Sequence, residues 1–218
     1  MKNYLDRRDE EIDRSEWLDI IWALRYLMRI HPEKRSGVII ELCAGKGYLT
    51  ELLDRKFPRY VVFGYDIEGY KYSNYVFRLD LEETRPSPAT YYVFQHCLEH
   101  ISQNRVVDLL SYMALVSRGI VGVLPGHMLR DPTHKVNHYH LNDVHRIMKK
   151  VSERIGQDKN IYYCVRPDIH SYIYPSDLDY LLVITDRRVE CKHTLPPWFR
   201  MFLKINRRLI AFEKRQVA

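Results

Sequence analysis

Apolar positions along this chain follow two spacings, and the switch from one to the other recurs at regular intervals. Behind Ser15, a helix-capping residue, Leu18, Ile21, Trp22, Leu24, Tyr26 and Leu27 cover one broad side of a helix that should end near His31-Pro32. Such a helix either packs on a sheet or closes over a pocket. Val38 to Leu42 is then a continuous apolar run, Tyr48 to Arg55 a helix, and Tyr60 to Tyr65 a β-branched and aromatic strand ending at Asp66. Tyr75 to Leu79 reads as a short third strand ending at Asp80, and Pro86 and Pro88 mark a loop. Tyr91 to Phe94 is a fourth strand, Val106 to Ser117 a helix, and Gly119 to Leu124 a fifth strand stopped by Pro125-Gly126. A helix over Asn142 to Val151 and strands over Ile161 to Val165 and Tyr180 to Thr185 bring the strand count to seven. Strands alternating with helices at this interval predict an α/β fold, a doubly wound and mostly parallel sheet with helices on both faces.

Composition narrows the setting. With 218 residues, 46% hydrophobic and 28% charged, the chain can bury the core of one α/β domain and carry an appended segment. Arg25 interrupts the richest apolar stretch, so no run reaches the roughly 18–20 residues of a membrane span. The first fourteen residues hold no apolar signal core, which argues against secretion and for a cytoplasmic protein. The four cysteines, Cys43, Cys97, Cys164 and Cys191, form no CxxC pair, so free thiols are expected and no metal site. The formal charge of +6 is uneven, because residues 193–218 carry six cations against Glu213 alone. The expected organisation is an N-terminal helical cap over 1–34, a ligand-binding domain over 35–192 and a basic amphipathic helix over 193–218.

The chemistry concentrates where the first strand meets its helix, in Glu41-Leu42-Cys43-Ala44-Gly45-Lys46-Gly47-Tyr48. A glycine-rich strand-to-helix turn lets a nucleotide-like ligand lie against bare backbone at a helix N-terminus. A phosphate-cradling GxxxxGK[ST] loop is excluded, since Ile40 stands where glycine is needed and Gly47 follows Lys46. A dinucleotide fingerprint starting at Gly45 meets Thr50 at its third glycine position, and Glu41 would face a pyrophosphate. A cationic ligand suits that acid better. The alternative is a generic β-turn-α connection, in which glycine pairs are common.

The spacing resembles the first motif of class I S-adenosylmethionine-dependent methyltransferases, acid-x-Gly-x-Gly-x-Gly, with Cys43 in place of the first glycine. Gln95-His96-Cys97-Leu98-Glu99-His100-Ile101 is similar to the segment after strand four in the broad small-molecule (type-11-like) group, which commonly ends in Leu-Glu-His and an aliphatic residue. Where that strand often begins with Asp, this chain has Tyr92. Asp131-Pro132-Thr133-His134 resembles an element that the same group carries over its acceptor pocket. The resemblance spans about residues 35–150 and implies a Rossmann-like fold, S-adenosyl-L-methionine as cofactor and methyl transfer to an acceptor, most simply a small molecule.

On that reading Glu41, Cys43, Ala44, Gly45 and Gly47 form the cofactor turn. Asp66 accepts the ribose hydroxyls beside Ile67, Asp80 and Leu81 meet the adenine, and Gln95 and His96 complete the cofactor-binding set. His134 and His138 are the candidate catalytic bases, since imidazole titrates near neutral pH. Tying the loop down structurally is an equal alternative for them, and His134-x-x-x-His138 would pair as metal ligands only on a helix, which Pro132 opposes. The basic segment 197–218 could contact nucleic acid, lie on an anionic membrane, or pack its apolar side on the domain. The alternative function is therefore a degenerate, non-catalytic module that binds through this tail. The oligomeric state is not encoded in any of these features.

Overall fold

The structure, a computed structural model, describes residues 13–33, 35–69, 74–126, 135–136, 139–156, 159–165 and 179–187. All lie in the first of two compact units, which ends at Arg187. The basic helix expected over 193–218 falls outside the described residues. In chain order the elements are α1 (Asp13–Ile30), β1 (Gly37–Leu42), α2 (Tyr48–Lys56), β2 (Tyr60–Asp66), β3 (Val76–Arg78), β4 (Tyr91–Gln95), α3 (Gln103–Val116), β5 (Gly119–Leu124), α4 (Leu141–Ile155), β6 (Asn160–Val165) and β7 (Tyr180–Thr185). A single 3₁₀ turn, Leu98–His100, stands between β4 and α3.

The seven strands form one sheet in the order β3-β2-β1-β4-β5-β7-β6. Strands β1 to β5 are parallel, while β7 runs antiparallel between β5 and β6. The central strands are covered on both sides, so β5 is buried at every position and β4 at all but Gln95, which is why their sequences are unbroken apolar runs. Alternate residues serve the two faces. Ile40, Leu42, Tyr92, Phe94 and Ile120 join α3 and α4 in one large cluster. The other face is covered by α1, against β4, β5 and β7, and by α2, against β1 and β2. Helix α1 buries Ile20, Ile21, Leu24 and Leu27, whereas Leu18 and Trp22 stay exposed, because its sheet-facing stripe is narrower than its apolar side.

Candidate functional site

Strand order reverses between β1 and β4, so the loops leaving these neighbours diverge to opposite faces and open a crevice beyond their carboxyl ends. The turn from β1 to α2 supplies one wall. Gly45 and Gly47 adopt left-handed φ values of 52° and 81°, and no side chain caps α2. A Cβ built on Gly45 would meet no atom within 4 Å, so the turn presents open space above bare backbone. Its underside is tightly packed. Ala44 N–H donates to Tyr65 O (3.0 Å), and a Cβ on Gly64 of β2 would stand 2.4 Å from Ala44 Cβ and 2.9 Å from Thr50 Oγ1. The absence of a side chain at Gly64 is what seats the turn on β2.

The carboxylates of this rim are held by different partners. Glu41 is buried, 4% exposed, and its Oε2 accepts a short hydrogen bond from Thr50 Oγ1 in the first turn of α2. It braces the turn from beneath. Asp66, at the end of β2, accepts from Gly45 N–H through Oδ2 (2.9 Å) and from Glu68 N–H through Oδ1 (3.1 Å). Described residues thus take up two of the roughly four lone-pair sites of this carboxylate. Beside it Ile67 is 61% exposed, an apolar surface at the rim. Asp80 forms an Asx turn, Oδ1 accepting from Glu82 N–H (2.8 Å), and the buried Leu81 is fixed through its carbonyl by Arg105 Nε (2.8 Å).

The segment after β4 forms the opposite wall. Trp17 of α1 donates through Nε1 to Gln95 Oε1 (2.8 Å), so the N-terminal helix both covers the sheet and reaches its carboxyl rim. His96 takes a left-handed φ of 48° and donates its backbone N–H to Val123 O (3.1 Å). Its Nδ1 lies 3.7 Å from a carboxylate oxygen of the fully buried Glu99. Tyr139 fastens the 3₁₀ turn by donating its hydroxyl to Leu98 O (2.8 Å), and Lys135 and Val136 donate N–H groups to Glu99 O. Burial pushes the Tyr139 phenol well above its ordinary range and the nearby Glu99 adds to the shift, so the hydroxyl stays a donor.

The expectation of free thiols is corrected here for two of the four cysteines, the side chains of Cys164 and Cys191 lying outside the described residues. Cys43 and Cys97 are joined by a disulfide, with Cα atoms 5.3 Å apart. Residues just past the ends of neighbouring strands converge, although 54 residues separate these two in sequence.

No protein-family model and no curated protein sequence matches the chain. Solved structures do. The methyltransferase domain of a bacterial Hen1 superposes with a TM-score of 0.53 at 14% identity, over 77% of this chain and 98% of that one. The plantazolicin methyltransferase BpumL, in complex with SAH, gives 0.60 at 11% identity, over 84% of this chain and 88% of that one. Magnesium protoporphyrin IX methyltransferase from Synechocystis PCC 6803, also with bound SAH, gives 0.51 at 13% identity, over 85% and 88%. The chain has the class I methyltransferase fold.

Within this methyltransferase fold the residues singled out from sequence divide into two sets. Glu41, Cys43, Ala44, Gly45, Gly47, Asp66, Ile67, Asp80, Leu81, Gln95 and His96 all lie at the carboxyl ends of β1 to β4 or in the turns that follow them. The candidate bases His134 and His138 fall outside the described residues, as does Asp131-Pro132-Thr133. Of the histidines that follow in the chain, His140 caps α4 in a box with Asp143, and His145 Nδ1 pairs with Tyr163 Oη at 2.7 Å. Both are structural. Among the described residues no three His, Cys, Asp or Glu gather as a metal site, and no helix is long and apolar enough to cross a membrane. Sequence reasoning missed Trp17, Thr50, Gly64 and Tyr139. Gly64 alone gave a signal, a glycine interrupting an otherwise β-branched and aromatic strand.

Proposed function

We propose that this protein is an S-adenosylmethionine-dependent methyltransferase whose acceptor is a small molecule. The observation that carries this reading is the Gly45–Gly47 turn, open above Gly45 and fastened at its amide to Asp66, at the reversal of strand order between β1 and β4. The donor set fits the cofactor. Asp66 and Asp80 at the strand ends and Glu41 buried beneath the turn make an acidic set, which favours a cationic ligand and disfavours a dinucleotide's pyrophosphate. Asp66 would take the ribose hydroxyls on its remaining lone pairs, Ile67 would lie against the base, and Asp80 would accept from its amino group. Glu41 would attract the ammonium group through the turn, and Gln95 and His96 would border the reactive end.

When bound, S-adenosylmethionine supplies a methyl group on a sulfonium. The chain's own part is to hold the acceptor in line with it and exclude water, the positioning that yields most of the rate in such transfers. His96, beside the buried Glu99, and the sequence candidates His134 and His138 are candidates to take the acceptor's proton. Structural neighbours named for plantazolicin and for magnesium protoporphyrin IX are in keeping with a small-molecule acceptor, another is named for small RNA, and each name belongs to that protein. Calorimetric titration tests the reading. S-adenosylhomocysteine should bind with micromolar affinity and NAD should not; binding of NAD alone would overturn it.

A further inference from the structure

The only two non-glycine residues with left-handed φ among the described residues are Cys43, at 53°, and His96, at 48°. They belong to one device. Cys43 is one end of the disulfide, and His96 immediately precedes the other end, Cys97. A side chain in this region of φ is disfavoured by contact between Cβ and the backbone and persists only where the surroundings over-determine it. Here the bridge ties the two strained turns to each other across the reversal of strand order, one from each wall of the crevice.

We propose that Cys43 and Cys97 are a reversible oxidation site that sets the affinity of the cofactor turn. The inference rests on the methyltransferase reading of that turn. With the bridge closed, Cys43 holds its left-handed φ, Ala44 N–H reaches Tyr65 O, and Gly45 N–H reaches Asp66. With the bridge open, nothing covalent holds Cys43 there. The turn relaxes toward the ordinary φ of a non-glycine residue, which displaces the amides that present Asp66 and Gly45 to the ligand. Glycine at this position would need no such clamp, which accounts for a cysteine pair where a glycine would otherwise serve.

The chemistry is thiol–disulfide exchange with a low-molecular-weight disulfide such as glutathione disulfide. Cys43 is partly exposed and Cys97 fully buried. The Cys43 thiolate therefore attacks first, forming a mixed disulfide and releasing one glutathione thiolate, which takes up a proton. The Cys97 thiolate then attacks Cys43 Sγ and releases the second glutathione. Two cysteine thiols are oxidised and one small disulfide is reduced to two thiols. A dithiol reductant reverses the steps, entering at Cys43.

The test uses the full chain, treated either with glutathione disulfide or with dithiothreitol, with alkylation and peptide mapping to assign the Cys43–Cys97 link. S-adenosylhomocysteine is then titrated calorimetrically into each form. The oxidised protein should bind about tenfold more tightly than the reduced one, the scale set by releasing one non-glycine residue from the left-handed region. Cys97→Ser should show the weaker affinity under both treatments, and Cys43→Gly should lose the redox dependence. Equal affinities in the two wild-type forms, or alkylation of both residues after oxidation, would overturn the proposal. Failure to bind in either form, with the link mapped, would instead remove the methyltransferase reading on which the proposal stands.

Discussion

The two edges of the sheet use charge in opposite ways. At the amino edge polar and charged side chains pair with one another. His31 is fully buried with Nε2 3.1 Å from Asp186 and Nδ1 3.4 Å from Glu33. Arg118 pairs with Asp186 at 2.8 Å, Lys159 lies 3.7 Å from the same carboxylate, and Arg187 meets Glu33 at 3.1 Å. At the carboxyl edge Asp66 and Asp80 bind backbone N–H groups instead, which fixes them and leaves acceptor capacity toward the crevice. One network fastens the end of α1 to the end of β7; the carboxylates anchored on main chain are those proposed to meet the cofactor. Damage at one edge should therefore register as stability, and damage at the other as binding.

The largest effect expected is on binding. Asp66→Ala should weaken S-adenosylhomocysteine by about 1.5–3 kcal/mol, the range for losing a charged hydrogen-bonding partner. Its melting temperature should move little, because water replaces the carboxylate at amides near the surface. Parallel calorimetric and thermal measurements would separate the two, and a stability loss without a binding loss would reduce Asp66 to a turn residue. Asp186→Ala should do the converse, costing about 1–3 kcal/mol of stability by leaving His31, Arg118 and Lys159 without their shared acceptor. Cofactor affinity of the folded fraction should be unchanged.

His31 sharpens the same contrast through pH. Burial lowers its pKa from the ordinary 6.5, against the opposing pull of Asp186 and Glu33 and with Arg187 adding to the depression. The folded state therefore binds fewer protons than the unfolded state just below pH 6.5. Stability should be full above that pH and fall as the pH drops toward the folded pKa. His31→Asn should flatten this part of a denaturant-midpoint against pH profile, and an unchanged slope would show that another group titrates there.

Smaller still, Tyr139→Phe removes the hydroxyl that fastens the turn after β4 and should cost about 1 kcal/mol, read from chemical denaturation. Lys135→Ala breaks only an exposed ion pair with Glu82 and should change stability by less than about 0.5 kcal/mol. A large effect from Lys135 would mean that the edges do not divide their labour as described.

What the sequence disclosed follows the range of the interactions involved. The strand, turn and helix from Val38 to Arg55 were legible because apolar runs, glycines and helical spacing act within a few residues. Asp66, Asp80 and Gln95 were legible because the end of a parallel strand is a local feature with a global meaning. The direction of β7 was not, since apolar periodicity is the same in either direction. Nor was the burial of Glu41, whose side chain meets Thr50 in the first turn of α2, or the Cys43–Cys97 link, which depends on β1 and β4 being neighbours. Helix α3 begins at Gln103, three residues before the first apolar residue that announced it, because polar residues fill its first turn.

The central claim is that the carboxyl edge between β1 and β4 is a cofactor site. A crystal structure of the protein with S-adenosylhomocysteine tests it most directly. The account predicts density lying over Gly45, with ribose hydroxyls on Asp66 and the base near Ile67 and Asp80. Density for the ligand anywhere else, or an intact turn that stays empty at saturating concentration, would contradict it.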